Sequence, residues 1–247
     1  MPAQTDHPAF PQPQDPSVKI WRYMDFTKFV SMLESSSLYF SRADRLGDPF
    51  EGSYSKGNIA LRPVVYKDVN GADKMLEYIP EFSKWIREWT FVNCWHMNVY
   101  ESAAMWKLYA KSNEAIAVQS TYATLVACLP SNVFVGCVQY IDYDRDWLPE
   151  GNAFYPFLHK RKSFEHEREA RAIIQQELPI ENGKIAIGRT NQAFGQHIKI
   201  DLAELVKSVY VAPMAPSWLR DLIEAVCRKY GQGWNVTKSS IDVEPVY

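Results

Sequence analysis

The sequence predicts an α+β domain built on a mixed, mostly antiparallel, curved sheet flanked by helices. Three observations lead there. Segments with strand and helix periodicity are interspersed without the regular alternation that builds a parallel sheet. Neither GxGxxG nor GxxxxGK[ST] occurs, which argues against a nucleotide fold opened by a glycine-rich loop. Hydrophobic residues are 47% and charged residues 23% of the 247, an ordinary globular composition. A chain of that length closes a core without staples.

Lysine and arginine number 27 against 29 acids, a net charge of −2, so charge gives no indication of nucleic-acid binding. Cys94, Cys128, Cys137 and Cys227 form no CxxC pair and read as free thiols in a reducing compartment. The chain shows no basic start followed by an apolar stretch, and no apolar run of the ~20 residues that a membrane span needs. The expectation is a cytoplasmic protein that does not enter membranes, with its oligomeric state open.

Residues 1–17 carry five prolines and few apolar side chains, which predicts an extended, disordered arm before a single domain over 18–247. KIWRY (19–23) is a strand. Asp25 stands where it would cap a helix to about Ser36, with Phe26, Phe29, Val30 and Leu33 on one face. LYFSR (38–42) is a strand and LGDPFEG (46–52) a turn. Residues 72–89 read as a helix, 91–97 as a strand, 101–110 as a helix, and 114–121 and 134–143 as strands. The segment 157–174 reads as helix to about Glu165, then strand. SVYVAP (208–213) is a strand. Helix 216–231 has Pro216 near its start and Gly231 past its end. Its predicted stripe is Trp218, Leu219, Leu222, Ile223, Val226, Cys227 and Tyr230. GWNVTK (233–238) closes the pattern as a strand.

The succession WRYMDF, LYFSRADRLGDPFEG, AMWKLYA, EAIAVQST and KRKSFEHEREARAI resembles the uncharacterised bacterial domain of unknown function 2971. The likeness spans roughly residues 18–240. Its most specific pieces are the DPFEG turn, the MWxxY helix and the K-x-x-x-[FW]-x-x-E-x-E-x-R segment. Glu114 and Ala115 stand before Ile116 where that family usually has glycine, and Gly47 replaces its common asparagine. The resemblance implies a bacterial cytosolic setting, with defence against phage or a toxin role as the plausible context, and no established activity.

Four constellations have chemical potential. On a strand, Glu167, Glu169 and Arg171 share a face about 6.5–7 Å apart, and two crowded acids raise one pKa. The plainer alternative is that Arg171 neutralises one acid and Lys160 or Lys162 the other. Arg22, between Trp21 and Tyr23, suits a phosphate or carboxylate, or else simply faces solvent. Ser120 and Thr121 end an apolar strand and orient a ligand or, more simply, cap the helix beginning near Tyr122. In the DPFEG turn, Asp48 and Glu51 flank Phe50, which is either a stacking plate for a ligand or a core plug. Ser41 on the second strand joins this set as a ligand-binding candidate. The histidines form no HxxxH pair, and His96 reads as a satisfied structural residue.

The linear order of Arg22, Ser120-Thr121 and Glu167-x-Glu169 is similar to the arginine–serine–glutamate class of ADP-ribosyltransferase toxins, whose sheet is split. That likeness implies NAD as substrate, with Glu169 and Glu167 catalytic, Arg22 on the diphosphate, and Tyr23 or Phe50 on the nicotinamide. Two other classes stay open. One is a non-catalytic domain binding a small anionic, nucleotide-like ligand or a partner protein. The other, a metal-dependent hydrolase using Asp48, Glu51 and the later glutamates, ranks last, and no metal is expected.

Overall fold

The computed structural model describes residues 2–109, 113–243 and 245. In chain order the elements are β1 (Lys19–Asp25), α1 (Phe26–Ser35), β2 (Ser37–Arg42), α2 (Lys56–Val65), α3 (Ala72–Ile86), β3 (Thr90–Met97), α4 (Ala103–Tyr109), β4 (Ala115–Thr121), α5 (Tyr122–Cys128), β5 (Phe134–Cys137), β6 (Gln139–Ile141) and β7 (His159–Arg161). There follow β8 (Glu169–Gln175), β9 (Ile180–Glu181), β10 (Lys184–Ile185), β11 (Gly195–Lys199), α6 (Leu202–Leu205), β12 (Ser208–Val211), α7 (Ser217–Lys229) and β13 (Asn235–Lys238). The last residue of the expected helix 101–110 lies outside the described residues.

The sheet is mixed and mostly antiparallel, and the fold is α+β. Strands run in the order β11-β2-β3-β1-β4-β12-β13, with β8 also on β3 and β5 on β8. The β12/β13 pair is parallel, joined through α7. Among the described residues no helix is long and apolar enough to cross a membrane.

One feature of this sheet shapes everything near it. Along one edge, β3 pairs with β8 from Thr90 to His96. Its other edge is divided: Phe91 and Val92 pair with β2, whereas His96 and Met97 pair with β1. The sheet therefore splits beside Asn93–Trp95. Side chains bridge the split, since backbone amides and carbonyls there still need partners. Asn93 Nδ2 donates to Tyr39 O at 2.8 Å, and Arg22 Nη1 donates to Cys94 O at 2.8 Å.

The proline-rich segment is extended, as proline's fixed φ requires, but it is packed rather than disordered. Val135 N donates to Gln4 O at 3.0 Å and Cys137 N to Pro11 O at 2.7 Å, so the segment covers the free edge of β5. Phe10, 2% exposed, stacks on Phe134 and meets Phe154 edge-on. A Cβ on Gly136 would lie 2.8 Å from Phe10 Cα, so glycine is what permits this approach.

Other departures from expectation have local causes. Residues 157–174 form no α-helix: two 3-10 turns flank the short strand β7. Lys160 there is drawn into buried ion pairs, and Arg168 turns into the left-handed region at φ 40° before β8 begins. The expected long strand 134–143 breaks at Val138, where the chain leaves β8 and pairs β6 with β7. Helix α2 was not anticipated, because Gly57 and Pro63 weaken its pattern. It is anchored from outside, as Glu150 accepts from Asn58, Arg62 and Tyr66. In α7 the buried line is Leu219, Ile223 and Cys227, while Trp218, one position off that line, is 54% exposed. In α1, Met32 is buried beside Phe29 and Leu33, and Asp25 caps without a side-chain bond.

Replacing Phe10 with alanine should cost about 3 kcal/mol, the usual price of an emptied aromatic site. Urea unfolding of Phe10→Ala checks this; a cost below ~0.5 kcal/mol, the range of surface changes, would mean that the segment is not part of the core.

Candidate functional site

Strand register decides which side chains meet. Gln119, Trp21, His96 and Glu169 are aligned across β4, β1, β3 and β8, so they share one face of the sheet. Tyr23 lies two residues along on the same face and packs against His96 at 6.3 Å and edge-on against Trp106 of α4 at 5.0 Å. Its hydroxyl accepts from Ser102 N at 2.8 Å. Ser41 aligns with Val92 and hence with Ile173, which places it on this face as well. The result is an aromatic floor running into charged residues.

The charged part is a closed lattice. Arg171 donates both Nη atoms to the carboxylate of Glu51 at 2.7 and 2.8 Å, its Nε to Glu169 at 2.7 Å, and Nη1 also to Phe157 O at 2.7 Å. Lys160 Nζ reaches Glu169 at 2.7 Å, Glu167 at 2.5 Å and Glu51 at 3.5 Å. Arg171 is 1% exposed, and the other four are buried too. Above them Asp48 pairs with Arg161 at 2.8 Å and accepts from Phe50 N at 3.0 Å. The Arg161 guanidinium lies over the Phe50 ring at 4.3 Å and the Phe164 ring at 5.2 Å. Phe50 is thus a half-exposed lid on a cation and fills no core site.

Three acids face two cations here, so full ionisation would leave one uncompensated negative charge. The two coupled glutamates resolve this differently. Burial, the hydrogen bond that protonated Glu167 donates to Glu169, and that neighbour's charge push Glu167 up to about 7, against the pull of Lys160. Burial acts to raise Glu169 as well, but Arg171, Glu167 and Lys160 outweigh it and hold Glu169 well below the usual carboxylate range. The pair therefore offers one permanent carboxylate and one acid that titrates near neutrality. Glu167 reaches this position from the end of a 3-10 turn, not from the strand that the E-x-E spacing implied.

Arg22 is half-buried and lodged in the split, its Nη2 lying 3.5 Å from Tyr39 O. Burial lowers its pKa, while Cys94 and Tyr109 act the other way. Burial raises Cys94, with Glu169 adding to it, and raises the hydroxyl of Tyr109, with Glu167 and Glu169 adding. Cys94 and Tyr109 are therefore electrostatic neighbours of both Arg22 and the acid pair.

Ser120 and Thr121 stand apart from this group. Ser120 aligns with Ile20 and Met97, on the face opposite Glu169, and its hydroxyl donates to Leu205 O at 2.6 Å. Thr121 Oγ1 accepts from Thr124 N at 3.2 Å and caps α5. Neither Cys94 nor Tyr109 is among the candidate site residues of the sequence. The alternation of β3 and the i, i+3 spacing of Trp106 and Tyr109 were the available signals.

Beside the lattice opens a cleft of about 850 Å³, lined among others by Lys19, Met97, Val138, Tyr140, His166 and Arg168. The Tyr140 hydroxyl accepts from Glu169 N at 2.8 Å and so separates cleft from lattice. Among the described residues no cluster of three histidine, cysteine or carboxylate side chains has metal-binding geometry.

Comparison with family models, curated proteins and solved structures finds no match to this chain.

Two outcomes are expected from the lattice. Arg171→Met strands two buried carboxylates and should cost about 3–5 kcal/mol in urea unfolding. Glu167 keeps its proton to about pH 7 when folded and loses it near 4.5 when unfolded. Its contribution is thus complete below pH 4.5 and declines as pH rises to about 7. Glu167→Gln should abolish that decline in unfolding curves taken across the window; an unchanged slope would assign the proton elsewhere.

Proposed function

We propose that this chain is an NAD-using enzyme of the ADP-ribosyltransferase type. What supports this reading is the buried acid pair at the start of β8, near a split in the sheet into which Arg22, assigned by alternation to the opposite face, reaches to donate to Cys94 O. Arg22 and the pair Glu167/Glu169 share Cys94 and Tyr109 as neighbours.

The chemistry suits these residues. Loss of nicotinamide leaves a cationic, oxocarbenium-like ribose, which a fixed carboxylate stabilises as it forms. Glu169 is held ionised, with Lys160 on one oxygen and Arg171 on the other, and is the fixed negative charge of the group. Glu167, titrating at about 7, is suited to exchange a proton with an acceptor group. Arg22 places two donors on backbone carbonyls and retains others for a diphosphate. The half-exposed ring of Phe50 lies under the Arg161 guanidinium, and Tyr23 is buried against His96 and Trp106. In this reading Ser120 and Thr121 serve the fold.

A second reading rests on the adjoining cleft. Lys19, His166 and Arg168 line it with Asp15 and Glu165 and the apolar Met97 and Val138, and a small anionic ligand held by the cations without turnover is the non-catalytic alternative. Nucleotides that raise the melting temperature without being consumed would favour it.

Incubation of the purified chain with NAD should release nicotinamide. Glu169→Gln should lower kcat by about 10²–10³-fold, the usual effect of removing one transition-state charge partner, while Arg22→Ala should mainly raise KM. Wild type that neither binds NAD nor releases nicotinamide would eliminate the enzyme reading, and full activity in Glu169→Gln would eliminate this site.

A further inference from the structure

A helix resting on a protein body ordinarily turns apolar side chains inward and polar ones to water. Helix α2 does the reverse. Its N-cap Ser55 is fully buried and accepts from Asn58 N at 3.0 Å. Asn58, also buried, donates to Leu148 O at 2.7 Å and accepts from Leu148 N at 2.8 Å. Arg62, one turn on, is buried and pairs with Glu150 at 2.8 Å. A Cβ on Gly57 would lie 2.5 Å from Arg145 O, so the backbone is pressed against the chain on that side. The outward positions are Ile59, Ala60, Pro63 and Val64, flanked by Leu61 and Val65, and all six are exposed. Ile59 is 63% and Val64 65% exposed, so the apolar side chains, not the polar ones, meet water.

Residues three and four apart are neighbours on a helix, so these side chains form one patch. Between Lys56 and Lys67 the only charged residue is Arg62, which points inward. Contiguous exposed apolar surface of this kind belongs to a contact site. The ends of the patch identify its occupant. At the N-terminal end Lys56 pairs with Asp144 at 2.7 Å, and past the C-terminal end Lys67 lies 3.8 Å from Asp68, all four side chains being well exposed. Each end thus carries one cation and one anion. Two copies of α2 packed antiparallel about a two-fold axis near Leu61 and Arg62 would set Ile59 and Ala60 of one against Val64 and Pro63 of the other. Lys56 would then face Asp68 of the other copy, Asp144 would face Lys67, and the helix dipoles would oppose. An anionic membrane surface would instead meet an aspartate at each end. We infer that the outward face of α2 is the self-complementary interface of a homodimer of this chain. One helix per protomer falls below the about 1,200 Å² of a standard interface, so the dimer is weak and depends on concentration. This inference does not depend on the NAD reading.

Sedimentation equilibrium of the full chain should show monomer giving way to dimer, with a dissociation constant on the order of 10 μM. Val64→Glu changes an exposed position outside the polar anchorage. It should raise that constant about tenfold or more and leave Tm as in wild type, which separates loss of contact from loss of fold. Lys56→Glu and Asp68→Lys should each weaken association by about threefold, the scale of an exposed ion pair. The two together should restore it, because the antiparallel register then sets the new acid against the new base. Three results would overturn the inference: a chain that stays monomeric up to about 500 μM, well above the range of weak specific contacts; a dimer that Val64→Glu leaves intact; or a double variant no tighter than the singles. A monomeric chain that instead binds vesicles of phosphatidylcholine and phosphatidylglycerol, and loses this in Val64→Glu, would assign the face to a membrane and overturn it as well.

Discussion

The two-sided grip of Arg171 on Glu51 and Glu169 is the interaction on which the rest of the site depends. Burying ions is costly, and here the cost is met by geometry: two parallel hydrogen bonds to Glu51, a third to Glu169 and a fourth to a backbone carbonyl. That arrangement staples the DPFEG turn, 120 residues away in sequence, onto β8. Lys160 extends it to Glu167, and Asp48 and Arg161 close it above. A lattice this complete holds its side chains to one geometry. That is what preorganised charge requires, since donors and acceptors that need not reorganise interact most strongly with developing charge.

The excess of acids over cations gives the lattice a second property. Because the sum of charges leaves one carboxylate unpaired, a proton is retained near neutrality, and the environment decides that Glu167 holds it. Glu169, with a cation on each oxygen, stays ionised. Two glutamates two residues apart thus acquire different chemistry from position alone, in the way adjacent carboxylates elsewhere divide acid and base roles.

The split in the sheet is closed by side chains. A continuous sheet would bury β3 between two full ladders. Dividing one edge between β1 and β2 leaves a stretch of β3 whose backbone is met by side chains, and Arg22 is one of them. Alternation along β1 assigns Arg22 to the face of Ile20, away from Trp21. The gap lets its long side chain turn back to the backbone carbonyl of Cys94. Trp21, Tyr23 and Trp106 pack against one another as buried core on the other face.

Sequence by itself determined the α+β class, most strands, α1, α3 and α7, and the presence of acids and cations where a core resists them. These follow from local periodicity and composition, which neighbouring residues carry unaided. It also allowed the pairing of Arg171 and Lys160 with the E-x-E acids. It did not reveal that Phe10 and its prolines pack, because a β5 edge in need of cover is visible only once β5 is placed. The exposure of Trp218, the 3-10 turns around β7 and the removal of Ser120 from the acid pair likewise follow from contacts distant in the chain. Tertiary structure alone decided which face each side chain occupies: one residue of register reverses it, and register is set by pairing between strands, not within them.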